Sequence, residues 1–248
     1  MITANNIFKE RIIARDANKN GEYFCPACNQ SLIVKQGEIK VWHFAHKYNG
    51  ECWWPSQSED HLSFKQELYD LYTSLGYTCT LEKIAEDKKS IIDLEVLNKK
   101  GDLIAIEVQL SKISAEKIIE RTRLRSNQGY YTLWLLGGDA INLKYNKNSD
   151  EFDYTSDRTN QSMYLMHSRI YFGRVYTITS NFMKRAHLDL PNPKLEISVL
   201  YIKYATKTLI KSRHYLPIKE FDLLGIEVGD SKLKFARFYD KHLNKSEL

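Results

Sequence analysis

The sequence lacks any long apolar run, and this absence argues against a membrane-spanning helix and a secretory signal peptide. No uninterrupted apolar stretch approaches the length of about 20 residues that a membrane-spanning helix requires. The opening segment MITANNIFKERIIARD also lacks the apolar run of a secretory signal peptide. We therefore expect a cytoplasmic protein that has no membrane partner.

Cysteine is scarce, and its placement excludes one class of fold. The chain of 248 residues has four cysteines, two of them in Cys25-Pro26-Ala27-Cys28. So few and so unevenly placed cysteines cannot form a disulfide framework in a chain of this size. Metal binding is the better explanation for the closely spaced pair.

No block of basic residues stands out, although 36 lysines and arginines against 31 acidic residues give a net charge of +5. This charge is compatible with a nucleic-acid partner and does not identify one. The apolar fraction of 43% is ordinary for a folded globular protein and excludes a disordered chain.

Helix and strand patterns divide the chain into three regions. Residues 1–57 are irregular and contain the cysteine pair and two nearby histidines, so we predict a small metal-binding module. Residues 58–140 carry clear periodic patterns. Residues 141–248 contain β-branched and aromatic runs but no chemical motif, and we predict a β-rich extension there.

The middle region predicts a mixed α/β (α+β) domain. Ser58 is a candidate N-cap for a helix that ends at Gly76, and strand-like runs follow at 77–84, 90–97 and 103–110. A second helix is predicted over 114–128, and a buried strand over 131–136. The predicted order is therefore αβββαβ.

The cysteine pair predicts a structural zinc site. Cys25 and Cys28 are followed, after 14 intervening residues, by His43 and His46, and two thiolates with two imidazoles suit tetrahedral zinc. Four protein ligands would leave no position for a catalytic water. Two alternatives stay open: Cys52 replaces one histidine, or the histidines pack in the core and the thiols are free.

A second set of polar residues predicts a divalent-cation site on two strands. Strand alternation puts Asp93 on the face opposite Ile92 and Leu94, and it puts Glu107 beside Gln109. Two facing carboxylates could hold Mg²⁺ or Mn²⁺, which activates water for attack on phosphorus. Gln109 carries no positive charge, and acidic residues on a strand face are often merely solvated.

With these residues in place, the chain resembles the competence protein CoiA-like family. The resemblance covers roughly residues 10–137 and rests on short motifs in the same order: YFCPAC, G-x-x-K-x-x-HFAH at Gly37 to His46, Ser58-Glu59-x-His61, Ile92-Asp93 and Ile106-Glu107-x-Gln109-x-Ser111. It implies a restriction-endonuclease-like PD-(D/E)XK core behind a Cys/His zinc element, and a part in handling incoming single-stranded DNA for recombination.

The resemblance also implies roles for individual residues. Asp93 and Glu107 would bind the catalytic metal, Gln109 would replace a lysine, and Glu59 would be an auxiliary carboxylate. His61 and Lys65 would support the site or bind phosphate. From their spacing on the second helix, Arg121 and Arg125 share a face and could grip a phosphate backbone, although a solvated basic face is an equal alternative.

Two hypotheses follow from this set of residues. The first is a metal-dependent DNA nuclease or DNA-processing protein that acts in DNA uptake, recombination or defence. The second is a catalytically weak or inactive DNA-binding accessory or scaffold for recombination proteins, which the uncharged Gln109 favours. Under both hypotheses the expected partners are DNA, with single-stranded DNA as one option, and recombination proteins.

Overall fold

The computed structural model describes residues 1–38, 40–48, 50–88, 90–141, 144–146, 151–153, 161–171, 174–180, 195–203, 208–212 and 221–238. The chain divides into two compact units, Met1–Val96 and Leu97–Leu248. Within the described ranges, no helix is long and apolar enough to cross a membrane. The predicted domain boundaries near residues 57 and 140 stay predictions.

The first unit begins with a five-stranded antiparallel sheet. Its strands are β1 (Thr3–Asn6), β2 (Arg11–Ile13), β3 (Tyr23–Phe24), β4 (Ser31–Lys35) and β5 (His43–His46), in the order β2-β1-β3-β4-β5. Tyr23, Leu32, Phe44 and Trp54 are buried in a small apolar core together with Cys25. The Tyr23 and Phe44 rings lie 4.9 Å apart. The module therefore has a modest core of its own.

A helix and two strands complete the first unit. Helix α1 (Glu59–Ser74) starts where the sequence predicts, because the side chain of Ser58 accepts a hydrogen bond from the His61 backbone N–H. The helix is followed by Gly76, whose φ of +82° is a left-handed conformation that favours glycine. Strands β6 (Thr78–Ile84) and β7 (Ile91–Leu97) follow and are neighbours in one sheet.

The second unit opens with a parallel βαβ arrangement. Strand β8 (Leu103–Gln109) leads to helix α2 (Ala115–Asn127), which Ser114 caps, and then to β9 (Tyr131–Leu136). Strands β8 and β9 are parallel, with Glu107 opposite Trp134. Both strands are buried almost throughout, as expected for parallel strands covered on both faces. The predicted order of elements from residue 58 to 136 is confirmed.

Strands dominate the described part of the chain after residue 140. They are β10 (Lys144–Asn146), β11 (Glu151–Asp153), β12 (Arg174–Ser180), β13 (Leu195–Lys203), β14 (Thr208–Ser212), β15 (Phe221–Val228) and β16 (Ser231–Phe238), with helix α3 (Gln161–Ile170) before β12. Strands β12 and β16 each pair in parallel with β9, so this region extends the sheet of β8 and β9. The predicted strand near residues 197–204 is confirmed as β13.

Candidate metal centre and candidate nuclease site

Four side chains of the N-terminal module converge as a candidate metal centre. The ligand atoms of Cys25, Cys28, His46 and Cys52 all lie within 4.8 Å of one another. Cys25 Sγ and Cys52 Sγ are 3.7 Å apart, and Cys28 Sγ is 3.3 Å from His46 Nε2. Three sulfurs and one imidazole form a ligand set that tetrahedral zinc accepts.

The backbone around the first two cysteines is folded to present their sulfurs. The Cys25 N–H donates to the Gln30 carbonyl at 2.9 Å, and the Asn29 N–H donates to the Cys25 carbonyl at 2.9 Å. Asn29 has a φ of +58°, which asparagine tolerates better than most residues. The Ala27 N–H points at Cys25 Sγ at 3.4 Å. The Cys-Pro-Ala-Cys segment is therefore a tight turn that directs both sulfurs to one point.

The second ligand pair differs from the main prediction. His43 and His46 are three residues apart on β5, and strand alternation sends their side chains to opposite faces. The Nδ1 atom of His43 instead lies 2.9 Å from the Val41 carbonyl oxygen. Cys52 takes the fourth place in the cluster. The predicted Cys2His2 set is thus corrected to Cys3His, which is the alternative that the sequence left open.

The burial of Cys25 favours cation binding by this cluster. Burial raises the pKa of the Cys25 thiol to about 12, so a thiolate there needs a compensating positive charge. A coordinated metal ion supplies that charge and removes the thiol protons. The four residues fit a metal such as zinc.

Asp93 lies beside His61 in the first unit. Asp93 is 5% exposed, and its Oδ2 atom is 3.1 Å from His61 Nε2. Helix α1 supplies His61, whereas β7 supplies Asp93, so this contact connects the two elements that the motifs Ser58-Glu59-x-His61 and Ile92-Asp93 marked. Glu59 is exposed and forms an ion pair with Lys40 at 3.1 Å.

Lys65 has a different environment from the one predicted. Its side chain is fully buried and forms an ion pair with the fully buried Glu82. Lys65 Nζ also donates to Gln57 Oε1 at 2.7 Å. A side chain without exposed surface cannot contact a DNA phosphate, so the predicted phosphate-binding role of Lys65 is corrected to a structural one.

Glu82 joins the N-terminal strand to the rest of the first unit. Its Oε2 atom accepts hydrogen bonds from the backbone N–H groups of Ile2 and Thr3, at 2.8 and 3.0 Å, and from Thr3 Oγ1 at 3.0 Å. Burial favours the neutral acid, but Lys65 and these donors outweigh it and lower the pKa of Glu82. Sequence patterns do not reveal this role, because the partners of Glu82 are distant in the chain.

Glu107 is held by two arginines in the second unit. It is fully buried; Arg121 donates to its Oε2 atom at 2.6 Å, and Arg125 Nε donates to its Oε1 atom at 2.8 Å. Arg125 is 2% exposed, which corrects its predicted role in gripping a phosphate backbone. The Arg121 side chain is 37% exposed and keeps access to solvent.

Arg121 also brings a positive charge to Gln109. Arg121 donates to Gln109 Oε1 at 3.2 Å, and the Gln109 amide donates to the Ser111 carbonyl at 2.7 Å and to Ser111 Oγ at 2.8 Å. The guanidinium carbon lies 4.7 Å from the centre of the Trp134 ring, a cation–π contact that holds it in place. The uncharged amide at position 109 therefore has a cation beside it.

Asp93 belongs to the first compact unit and Glu107 to the second, and their sharing of one cation stays a prediction. In the described part of the chain, the cysteine cluster is the one group of three or more metal-ligating side chains. Glu107 is fully buried, and each of its carboxylate oxygens is paired with one arginine.

Comparison with known proteins gives consistent matches. Residues 6–54 match the competence protein CoiA N-terminal domain, and residues 57–187 match the competence protein CoiA nuclease-like domain. The competence protein CoiA of Bacillus subtilis (strain 168) is 30% identical over 121 residues, which cover 48% of this chain and 32% of that protein. The match thus spans about a third of the relative's length. No solved structure matches significantly.

Proposed function

Since the chain belongs to the competence protein CoiA family, we propose that it is a metal-dependent DNA nuclease that processes DNA during uptake, recombination or defence. The nuclease-like domain match over residues 57–187 supports this proposal. The proposed core is of the PD-(D/E)XK kind, with β7 and β8 carrying the acidic residues. The proposed partners are DNA and recombination proteins.

The contact between Arg121 and Gln109 carries the proposal. A nuclease needs positive charge near the scissile phosphate, because negative charge develops there in the transition state. Gln109 has none, but a guanidinium nitrogen of Arg121, whose side chain is 37% exposed, lies 3.2 Å from its amide oxygen. Arg121 is thus suited to the electrostatic role that a lysine at position 109 would have.

Asp93 and Glu107 would hold Mg²⁺ or Mn²⁺, which would supply an activated water for phosphodiester hydrolysis. The chain's own residues then have separate tasks. His61 holds the Asp93 carboxylate through the 3.1 Å contact, and Arg125 holds the buried Glu107 carboxylate through an ion pair at 2.8 Å. Arg121, whose side chain is 37% exposed, would face a bound phosphate from its place beside Glu107 and Gln109.

The test is DNA cleavage by the full chain with Mg²⁺ or Mn²⁺, on single-stranded and double-stranded substrates. D93N and E107Q should abolish cleavage, because each removes an anionic ligand while keeping the side-chain size. E95Q is the matched control, since Glu95 lies on the same strand as Asp93. Equal cleavage by all four proteins would exclude this site. R121Q should reduce cleavage, and R121K should restore part of it.

A second function has its own support. Both carboxylate oxygens of Glu107 are paired with arginines, and position 109 is uncharged, which are features of a site with little turnover. On this account the protein is a DNA-binding accessory or scaffold for recombination. DNA binding by the wild type without cleavage under either metal would favour this function. Activity gained in Q109K would then identify the missing charge as the cause.

A further inference from the structure

The N-terminal module has a sheet face that the metal centre does not use. In the antiparallel pair of β4 and β5, Ile33 is opposite Ala45 and Lys35 is opposite His43, so these four side chains share one face. The pairing continues at the Lys47 N–H, which donates to the Ser31 carbonyl at 3.1 Å. We define the outer hairpin face as Ser31, Ile33, Lys35, His43, Ala45 and Lys47.

The side chains on the opposite face of the same hairpin pack in the core or belong to the candidate metal centre. Leu32 is 5% exposed, Phe44 is 1% exposed, and His46 belongs to the cysteine cluster. By contrast, Ile33 is 41% exposed on the outer hairpin face. Ser31, Lys35 and Lys47 on the same face are exposed as well.

The outer hairpin face has positive charge and no acidic side chain. Lys35 and Lys47 are exposed near its two ends, and His43 lies beside Lys35. Four residue steps along β4 separate these ends, which is about 14 Å at the rise of an antiparallel strand. Lys40, in the turn of the hairpin, is different because it is paired with Glu59. The lysines of the face are thus arranged to meet an extended anion.

An exposed aromatic ring follows this face directly. Tyr48 is 70% exposed, and the ammonium group of Lys47 lies 5.6 Å from the centre of its ring. A tyrosine in that position contributes nothing to the core, whereas Tyr23 of the same module is 6% exposed. Aromatic rings beside lysines bind single-stranded nucleic acid, because the ring stacks on a base while the ammonium meets the phosphate.

We propose that the outer hairpin face, together with Tyr48, binds single-stranded DNA. The proposal rests on the proposed DNA-processing function and extends it to a substrate-binding surface in the zinc module. Lys35 and Lys47 contact phosphates, and Tyr48 stacks on an unpaired base. Duplex DNA is excluded as the preferred ligand because its bases are already stacked. The absence of acidic residues from the face favours a polyanion over a protein partner.

The experiment is fluorescence anisotropy of a labelled thymine oligonucleotide, with the zinc-loaded chain of 248 residues and no Mg²⁺ or Mn²⁺. Y48A should bind at least about fivefold more weakly, since removal of one stacked base costs roughly 1–3 kcal/mol, and Y48F should bind like the wild type. K35Q/K47Q should lower the slope of log affinity against log salt by about 1.4, at about 0.7 for each phosphate that is no longer neutralised.

The control variants replace another exposed aromatic residue and two other exposed lysines in the module. Phe8 is 76% exposed in the β1–β2 turn, and Lys9 and Lys19 are exposed, so F8A and K9Q/K19Q should leave affinity and salt slope unchanged. Because Tyr48, Lys35 and Lys47 are exposed, their variants should keep the zinc content and the unfolding midpoint of the wild type. These measurements separate weaker DNA binding from a damaged fold.

Three outcomes would overturn the proposal. The first is that Y48A and K35Q/K47Q keep the affinity and the salt slope of the wild type. The second is that the control variants lose as much affinity as the face variants. The third is that the wild type binds duplex DNA as tightly as single-stranded DNA. D93N should bind the oligonucleotide normally. If the face variants bind normally while cleavage still depends on Asp93, the binding surface is refuted and the nuclease function is kept.

Discussion

Cys25 Sγ and Cys52 Sγ lie 3.7 Å apart although 27 positions separate the two residues in the sequence. Two strands and the turn between them fold the chain back so that the segment after β5 reaches the turn between β3 and β4. The Trp54 N–H, 3.4 Å from Cys52 Sγ, and the buried Trp54 side chain hold that segment in place. This arrangement places Cys52 in the candidate metal centre and leaves His43 outside it.

We predict that Cys52 is required for zinc binding and that His43 is not. C52S should lose most of the bound zinc, because a hydroxyl is a much weaker zinc ligand than a thiolate. H43Q should keep one zinc ion per chain, since the imidazole of His43 contacts the Val41 carbonyl. Native mass spectrometry measures both. Zinc retained in C52S and lost in H43Q would restore the Cys2His2 assignment.

Removal of the metal should unfold the module locally. The apolar core of the N-terminal module is small, and Cys25 is part of it. Without the metal, the thiolates repel one another or take up protons, and either change disturbs the core around Cys25. A strong chelator should increase hydrogen exchange between Glu22 and Trp54, whereas helix α1 should stay protected. Hydrogen exchange with mass spectrometry resolves the two segments. Unchanged exchange in the module would show that its core suffices without a metal.

The buried pair of Lys65 and Glu82 should matter for stability. K65M leaves the buried Glu82 carboxylate without its cation and should lower the free energy of unfolding by about 3–5 kcal/mol. Urea unfolding of the zinc-loaded protein measures this change. K40M is the matched control, because the exposed pair of Lys40 and Glu59 contributes roughly 0–1 kcal/mol.

The double variant K65M/E82Q checks the cause. Glutamine at position 82 can still accept the hydrogen bonds from Ile2 and Thr3, but it carries no charge. The double variant should therefore be more stable than K65M alone. If it is less stable, the cost arises from poorer packing around position 65 and not from an unpaired buried charge.

His167 should make the second unit sensitive to acid. It is buried on α3, and within the described residues neither ring nitrogen has a hydrogen-bond partner. Burial lowers the pKa of His167 to about 3. Below the unfolded pKa of about 6.5, the unfolded chain binds a proton that the folded chain does not, so stability falls as pH falls towards the folded value.

H167L removes this titration. Between pH 6.5 and 5, the wild type should lose about 2 kcal/mol more of its free energy of unfolding than H167L does. Denaturant unfolding over this range gives the difference, and measurement at pH 8 isolates the effect of the changed packing. Parallel pH profiles for the two proteins would mean that His167 is protonated in the folded chain or exposed in it.

Local signals predicted the secondary structure between residues 58 and 136 well, because they act over short distances in the chain. Ser58 and Ser114 cap the two helices through their own side chains, and Gly76 follows the first helix with a positive φ. None of these features needs information from a distant part of the chain.

The amino-acid sequence alone determined the element order from residue 58 to 136, the helix caps, the cysteine pair as a candidate for metal binding and the resemblance to the CoiA family. Only the tertiary structure decided that Cys52 replaces His43 in the candidate metal centre. It also decided that Lys65 is buried with Glu82, and Arg125 with Glu107. The contact between Arg121 and Gln109 was likewise visible only in the structure. The reason is physical. Caps and alternation depend on neighbouring residues, whereas ligand sets and ion pairs depend on which distant side chains packing brings within a few ångströms.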